Sequence, residues 1–135
     1  MEDGVDFEIP DELYYTSDDE WVHAEDDFVT MGVTDFAQQQ LGDIVYVELP
    51  TVGDQLESGA AFGVIESVKA VSDLSTPIAG EVAAINEELV DQPEIINEEC
   101  YGAGWIIKIK PSDVEEIESL LDADSYRKIV SKRSV

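Results

Sequence analysis

The first third of the chain predicts a β-hairpin. Aromatic and β-branched residues occupy positions 14–15 and 21–24, and another apolar run occupies 28–33. The acidic pair Asp26 and Asp27 separates the second and third of these runs. Apolar strands on both sides of a short polar turn are typical of a hairpin.

Three later segments predict further strands. Residues 43–49 carry apolar side chains on both alternating faces, so we expect a strand that is buried on two sides and ends at Pro50. Residues 80–85 form a short apolar run after a glycine, and residues 105–110 form another run that Pro111 ends.

Helix signals are short and lie mostly near the C-terminus. Thr34 or Asp35 can cap a helix that runs through Leu41 and ends at Gly42. Asn86 can cap a short helical turn. Further helical segments are predicted at residues 93–97, at 112–121 after a cap at Ser112 or Asp113, and at 124–131.

These patterns together predict a single α+β domain, mainly β, over residues 1–135. Residues 1–12 are acidic and aperiodic, so we expect a loose lead-in, and residues 112–132 should form the C-terminal helices. The segment 62–74 stays ambiguous. Its apolar positions also fit one face of a helix, and no Gly, Asn or Pro marks a turn near Lys69.

Charge is the most unusual feature of the composition. The chain has 135 residues, a 44% hydrophobic fraction and a formal net charge of −25. The hydrophobic fraction is that of a globular protein, whereas the charge disfavours nucleic acids and anionic membranes as partners. We expect either adaptation to a salt-rich cytoplasm, where such repulsion is screened, or an acidic docking face for a basic partner.

Three features favour the cytoplasm. The acidic N-terminus lacks the basic start and apolar stretch of a secretory signal, and no apolar run is long enough to cross a membrane. Cys100 is the single cysteine, so the chain has no internal disulfide.

Lys69 is the only Lys or Arg in the first 107 residues, which carry 26 of the 32 carboxylates. One explanation is that its amine is acylated, which removes the charge and leaves a long neutral arm. The alternative is a surface lysine that pairs with Glu66 or Asp73 and contributes little.

Catalysis by this chain alone is not expected. Its single histidine, His23, and single cysteine make no convincing zinc site, and no phosphate-binding glycine motif is present. We expect His23 at the surface or half-buried, Cys100 as an unreactive thiol, and both tryptophans, Trp21 and Trp105, in the core.

Residues 66–73 resemble the lipoyl-attachment motif of the glycine cleavage system H proteins. Four further segments resemble the same family in order and spacing, so that the resemblance covers about residues 13–130. They are residues 32–38, 41–50, 77–82 and 104–111.

The resemblance implies a flattened barrel-sandwich hybrid of two sheets, of the lipoyl- and biotinyl-carrier type, with terminal helices. It places Lys69 on a hairpin tip, where a lysine amine can form an amide with lipoate. It also implies a cleft for the charged arm, lined by Glu20, Asp73, Asp18 and Val33. Glu66 and Asp73 would flank the arm.

The resemblance further implies a set of partner proteins and a carrier function. The lipoyl arm would receive an aminomethyl group from the glycine-decarboxylating P protein and deliver it to the T protein, an aminomethyltransferase. The L protein, a dihydrolipoyl dehydrogenase, would reoxidise the arm, and a lipoyl-attaching enzyme would install it.

Two departures and two alternatives accompany this interpretation. The family's usual His-Glu-Trp appears here as Asp19-Glu20-Trp21, and its usual Pro before Tyr-Gly is Cys100. The additional carboxylate either holds the amine more tightly or only adds surface charge. One alternative is a lipoyl or biotinyl domain of another complex. The other is a carrier-like protein that serves lipoate synthesis or regulation without glycine oxidation.

Overall fold

Strands account for most of the regular structure in the computed structural model, which describes residues 7–25 and 27–133. These residues form nine strands and five helices. The strands are β1 Tyr14–Tyr15, β2 Glu20–Ala24, β3 Val29–Val33, β4 Ile44–Glu48, β5 Gln55–Leu56, β6 Ala61–Ser67, β7 Val71–Ser75, β8 Gly80–Ile85 and β9 Ile107–Pro111. The helices are α1 Asp35–Leu41, α2 Glu88–Asp91, α3 Ile95–Glu98, α4 Glu115–Glu118 and α5 Ala123–Arg133.

The strands form two antiparallel sheets around one core. The larger sheet has the order β1-β2-β3-β9-β8-β5, and the smaller has the order β4-β6-β7. Val22, Met31 and Ile109 of the larger sheet join Val47 and Ile65 of the smaller sheet in a single apolar cluster. The architecture is therefore α+β and mainly β, as predicted.

The predicted hairpin is confirmed by the pairing of β2 with β3, in which Trp21 lies opposite Gly32. Its turn includes Asp26, which lies outside the described residues. Trp21 is buried and donates from Nε1 to the Cys100 carbonyl at 2.8 Å. Trp105 is only half-buried, so of the two tryptophans Trp21 alone is a fully buried core residue.

The expected loose lead-in does not hold for residues 7–12. Ile9 is buried in a second apolar cluster with residues of α5, and Phe7 packs edge-on against Phe36 with 5.0 Å between ring centroids. Arg127 donates to the Ile9 carbonyl at 2.8 Å and pairs with Asp11. These contacts fix the segment against the helices, whereas residues 1–6 of the predicted lead-in lie outside the described residues.

The prediction of a strand buried on both faces is wrong for β4. Ile44 and Val47 are buried, but Val45 and Tyr46 are exposed. The pairing of β4 with β6 shifts between Ile44 and Tyr46. Such a bulge inserts one residue and breaks the two-residue alternation, so the two buried side chains, Ile44 and Val47, are three positions apart in the sequence.

Helix α1 has the predicted ends, because Thr34 Oγ1 accepts from the Ala37 amide at 3.2 Å and Gly42 ends the helix at φ 80°. The predicted capping role of Asn86 is wrong. Its side chain instead donates to the carbonyls of Ala103 and Trp105, at 2.8 and 2.7 Å.

The C-terminal helices are present with altered bounds. The amphipathic segment 112–121 contains only the single turn α4, with Asp113 Oδ1 accepting from the Glu115 amide at 2.9 Å. Helix α5 extends beyond both ends of the predicted 124–131. In the larger sheet, β9 begins at Ile107 rather than 105 and includes Pro111.

Candidate functional site

Lys69 lies in the turn of a β-hairpin, not on a helix. Strands β6 and β7 pair up to Glu66 opposite Val71, and the Ser67 amide donates to the Ala70 carbonyl at 2.8 Å. The Ser67 hydroxyl accepts from the amides of Lys69 and Ala70, each at 3.1 Å. A serine hydroxyl that bonds to amides further along the chain stabilises a turn without glycine or asparagine, which is the signal that the sequence reading missed.

The hairpin tip is attached to the loop after α1. The Val68 amide donates to the Asp43 carbonyl at 3.0 Å. A Cβ built on Gly42 would lie 3.3 Å from Lys69 Cε, so the missing side chain leaves room for the lysine stem. Gly42 thus has two roles. It adopts the positive φ that ends α1, and it leaves space for the Lys69 stem.

The side chain of Asn97 in α3 holds the loop after α1 by hydrogen bonds, although it is distant from that loop in the sequence. Its Oδ1 accepts from the Ile44 amide at 2.9 Å, and its Nδ2 donates to the Gly42 carbonyl at 2.9 Å. Nδ2 also donates to Gln38 Oε1 at 2.9 Å. One amide side chain therefore connects α1, the loop and β4 next to the lysine.

An acidic cleft of about 170 Å³ opens beside the tip, between α1, β7 and the turn before β2. Predicted site residues Asp18, Glu20, Val33 and Asp73 all line it, which brings them together. Its lining also includes Gln40 and Leu41, directly before the glycine that contacts the Lys69 stem. Among the described residues that line it, none is Lys, Arg or His. The full lining is Asp18, Asp19, Glu20, Val33, Ala37, Gln40, Leu41, Ile65, Ser72, Asp73 and Leu74.

Glu66 is placed differently from the other predicted site residues. It is half-buried in β6, between Tyr46 of β4 and Val71 of β7, and does not belong to the cleft lining. Asp73 is exposed at the cleft side of the hairpin. The two carboxylates therefore lie on the same hairpin as Lys69, but only Asp73 belongs to the cleft lining.

Glu20 is the buried carboxylate of the cleft, with 7% of its surface exposed. Burial raises its pKa to about 7, and the negative charges of Asp18 and Asp19 act in the same direction. The Ser75 amide donates to Oε2 at 3.1 Å and opposes this shift. The site therefore disfavours a negative charge on Glu20 unless a positive group enters the cleft.

Asp19 occupies the position of the family's usual histidine and has a left-handed backbone, with φ 67°. The Tyr126 hydroxyl of α5 donates to Asp19 Oδ1 at 2.9 Å. Since the Tyr126 proton is used there, the Thr34 hydroxyl is the donor in its 2.7 Å bond with the Tyr126 oxygen. The Thr34 amide also donates to the Asp19 carbonyl at 3.0 Å. Asp19 thus connects the cleft to helix α5.

Two further chemically distinctive side chains, His23 and Cys100, lie outside the lining of the acidic cleft. His23 is half-buried, as expected, and lines a groove of about 320 Å³ with Trp21 and Trp105. Cys100 is buried, and burial raises the pKa of its thiol to about 12, so the thiolate is scarce at neutral pH. The described residues contain no acidic, histidine or cysteine group with the geometry of a metal site. They also contain no helix that is both long and apolar enough to span a membrane.

Comparison with known proteins agrees with this geometry. Residues 13–133 match the profile of the family described as Glycine cleavage H-protein. A glycine cleavage system H protein of Bacteroides thetaiotaomicron is 51% identical over 123 residues, which cover 91% of this chain and 98% of that protein. A probable glycine cleavage system H protein of Natronomonas pharaonis is 51% identical over 122 residues, 90% of this chain and 96% of that protein.

A solved structure also superimposes over most of the chain. The crystal structure of a glycine cleavage system H protein from Mycobacterium marinum has a TM-score of 0.81 and 35% sequence identity. The match covers 94% of this chain and 100% of that one. This likeness confirms the predicted barrel-sandwich hybrid.

Proposed function

This chain belongs to the glycine cleavage H-protein family and is a lipoyl carrier of the glycine cleavage system, and we propose that Lys69 is its attachment site. The observation that supports this proposal most directly is the placement of an exposed lysine on a fixed hairpin tip beside an acidic cleft. A primary amine on a four-carbon stem can form an amide with a carboxylic acid, which a guanidinium cannot do readily.

The residues around Lys69 fit a covalently attached lipoyl group. Ser67 and the Asp43 carbonyl hold the backbone of the tip, and Gly42 leaves space for the stem. When bound, lipoate supplies the disulfide and dithiol chemistry by which a carbon unit is taken up and released. The protein's contribution is to present the arm and to shelter it.

We propose that the cleft shelters the arm when it carries a cationic aminomethyl group. Carboxylates are the strongest acceptors for an ammonium group, and Asp18, Glu20 and Asp73 line the cleft. Val33 and Ile65 offer apolar contact to the hydrocarbon part of the arm. A positive charge near Glu20 lowers the pKa of its carboxyl again, so docking of the cation and ionisation of Glu20 reinforce each other.

The proposed partners follow from the carrier function. The P protein would load the aminomethyl group, the T protein would receive it and the L protein would reoxidise the dithiol. A lipoyl-attaching enzyme would act first, on the bare lysine. The chain itself would catalyse no step. We place this relay in the cytoplasm, where the single Cys100 stays reduced.

Intact mass spectrometry tests the attachment site. Incubation with a lipoyl-attaching enzyme and a lipoyl donor should add one lipoyl increment to the wild-type chain and none to Lys69→Arg. Lys110→Arg, which changes an exposed lysine of β9, is the control and should be modified normally. An increment on Lys69→Arg would refute the assignment.

A glycine–bicarbonate exchange assay with a P protein then tests the pathway. The lipoylated chain should support exchange and the bare chain should not. A fully lipoylated chain that supports no exchange would instead favour a carrier for lipoate synthesis or regulation.

A further inference from the structure

The outer face of the lipoyl hairpin carries an apolar patch that the carrier function leaves unused. We define the tip patch as Val45, Tyr46, Val68 and Val71, whose residues are between 49% and 66% exposed. Eight large apolar side chains are exposed among the described residues, and these are four of them. Such side chains are ordinary when they are scattered, but their concentration at one place indicates an interaction surface.

The fold places the patch beside Lys69. Tyr46 lies opposite Glu66, and Glu66 lies opposite Val71, so the three side chains form one row across β4, β6 and β7. Laterally paired residues point to the same side of a sheet, which puts Tyr46 and Val71 on either side of Glu66. The bulge in β4 exposes Val45 together with Tyr46, and Val68 immediately precedes the lysine.

The rim of the patch is acidic. Asp43, directly before β4, and Glu48, at its end, are exposed, and Glu66 lies inside the row. Strands β4, β6 and β7 contain no Lys or Arg, so Lys69 is the only cation of this hairpin region. A partner surface that complements the tip patch would have an apolar centre surrounded by lysines or arginines.

We propose that the tip patch is the docking surface for the enzyme that acylates Lys69, an inference that rests on the proposed attachment site. That enzyme must bring its catalytic centre to the lysine nitrogen, which lies only a four-carbon stem from the backbone. It therefore has to contact the residues that surround the tip. Enzymes that act on the loaded arm reach sulfur atoms several bonds further out and can dock elsewhere.

The acylation step uses an activated lipoyl donor, an acyl adenylate. The neutral Lys69 amine attacks the acyl carbon and forms the amide bond. The bond from that carbon to the phosphate oxygen breaks, and AMP leaves with the electron pair. The amine gives up one proton to solvent or to the enzyme, and no electron acceptor is needed.

The test compares acylation rates of Tyr46→Thr/Val71→Thr and wild type, followed by intact mass at several chain concentrations. At Val71, threonine keeps the β-branched shape and exchanges a methyl group for a hydroxyl, whereas at Tyr46 it removes the aromatic ring. Threonine is favourable in strands, so both strands should still form. We expect kcat/KM to fall roughly tenfold, mainly through a higher KM, because an apolar contact is lost in the docked complex. Val114→Thr is the matched control, since Val114 of the α4 cap is 64% exposed, the same as Val71, and lies outside the patch.

A second readout separates docking of the acylating enzyme from a general defect. After prolonged acylation, the double variant should support P-protein exchange within about twofold of wild type. A wild-type acylation rate in the double variant would overturn the inference, as would an equal loss in Val114→Thr or an exchange rate reduced as strongly as acylation. If the double variant does not fold, Val71→Thr alone carries the same comparison. Failure of the wild-type chain to be acylated at all would refute the attachment site and the inference together.

Discussion

Replacing Glu20 by glutamine should stabilise the folded chain at alkaline pH and have little effect at acid pH. Burial raises the pKa of Glu20 from 4.5 to about 7 in the fold. Between these two values the folded chain therefore binds more protons than the unfolded chain, and the free energy of unfolding decreases as pH rises. The stability associated with protonated Glu20 is fully present below about pH 4.5 and is lost as pH rises through about 7.

The size of the effect follows from the shift. One pKa unit corresponds to about 1.4 kcal/mol, so the full shift amounts to about 3 kcal/mol. About 2.5 kcal/mol of this falls between pH 5 and pH 8. Glu20→Gln removes the titration but keeps a carbonyl oxygen that can accept from the Ser75 amide. The difference in free energy of unfolding between Glu20→Gln and wild type should therefore shift in favour of the variant by about 2.5 kcal/mol from pH 5 to pH 8.

Urea unfolding followed by tryptophan fluorescence at pH 5 and pH 8, in a constant high KCl concentration, measures this difference. Asp18→Asn is the matched control because it removes an exposed carboxylate from the same cleft. Its stability difference from wild type should change much less between the two pH values, because Glu20 still titrates in this variant. If the stability difference between Glu20→Gln and wild type is the same at pH 5 and pH 8 within about 0.5 kcal/mol, burial does not disfavour the ionised form of Glu20 and the reasoning is refuted.

Three further outcomes follow from the same structure. Ser67→Ala should lower the free energy of unfolding by about 1 kcal/mol in urea, since two turn amides lose their acceptor; an unchanged value would contradict the role of Ser67. Gly42→Ala should lower it by about 1–2 kcal/mol and slow the acylation of Lys69, because φ is 80° and the new methyl group crowds the stem; normal acylation would show that the stem does not rest there. Raising KCl from about 0.1 to about 1 M should raise the melting temperature, as salt screens the net charge of −25, and a constant melting temperature would refute salt adaptation.

Local signals were sufficient where the stabilising contacts are close in sequence. The β2–β3 hairpin and the cap of α1 by Thr34 depend on residues a few positions apart, and both were predicted correctly. The turn at Lys69 is also local, but it is held by the Ser67 hydroxyl rather than by a glycine or asparagine. For this turn the family resemblance decided between a helix and a hairpin.

Prediction from the sequence failed where contacts between distant residues determine the structure. The Asn86 amide bonds to carbonyls of residues 103 and 105, which overrides its tendency to cap a helix. The bulge in β4 depends on its pairing with β6 and cannot be read from alternation alone. Asn97 reaches Ile44 across 53 positions, and nothing in its neighbours marks it as a support for the lysine loop.

The acidic residue at the family's histidine position has a role that neither sequence interpretation included. Asp19 lines the cleft, but its carboxylate also accepts a hydrogen bond from the Tyr126 hydroxyl, and its carbonyl accepts one from the Thr34 amide. Thr34 in turn caps α1, whose last residues lead to the Lys69 stem. Because Asp19 links α5, α1 and the cleft wall, its charge is partly satisfied by the fold before any ligand enters. Asp19 therefore fixes the position of the wall that carries Glu20, its neighbour in the chain.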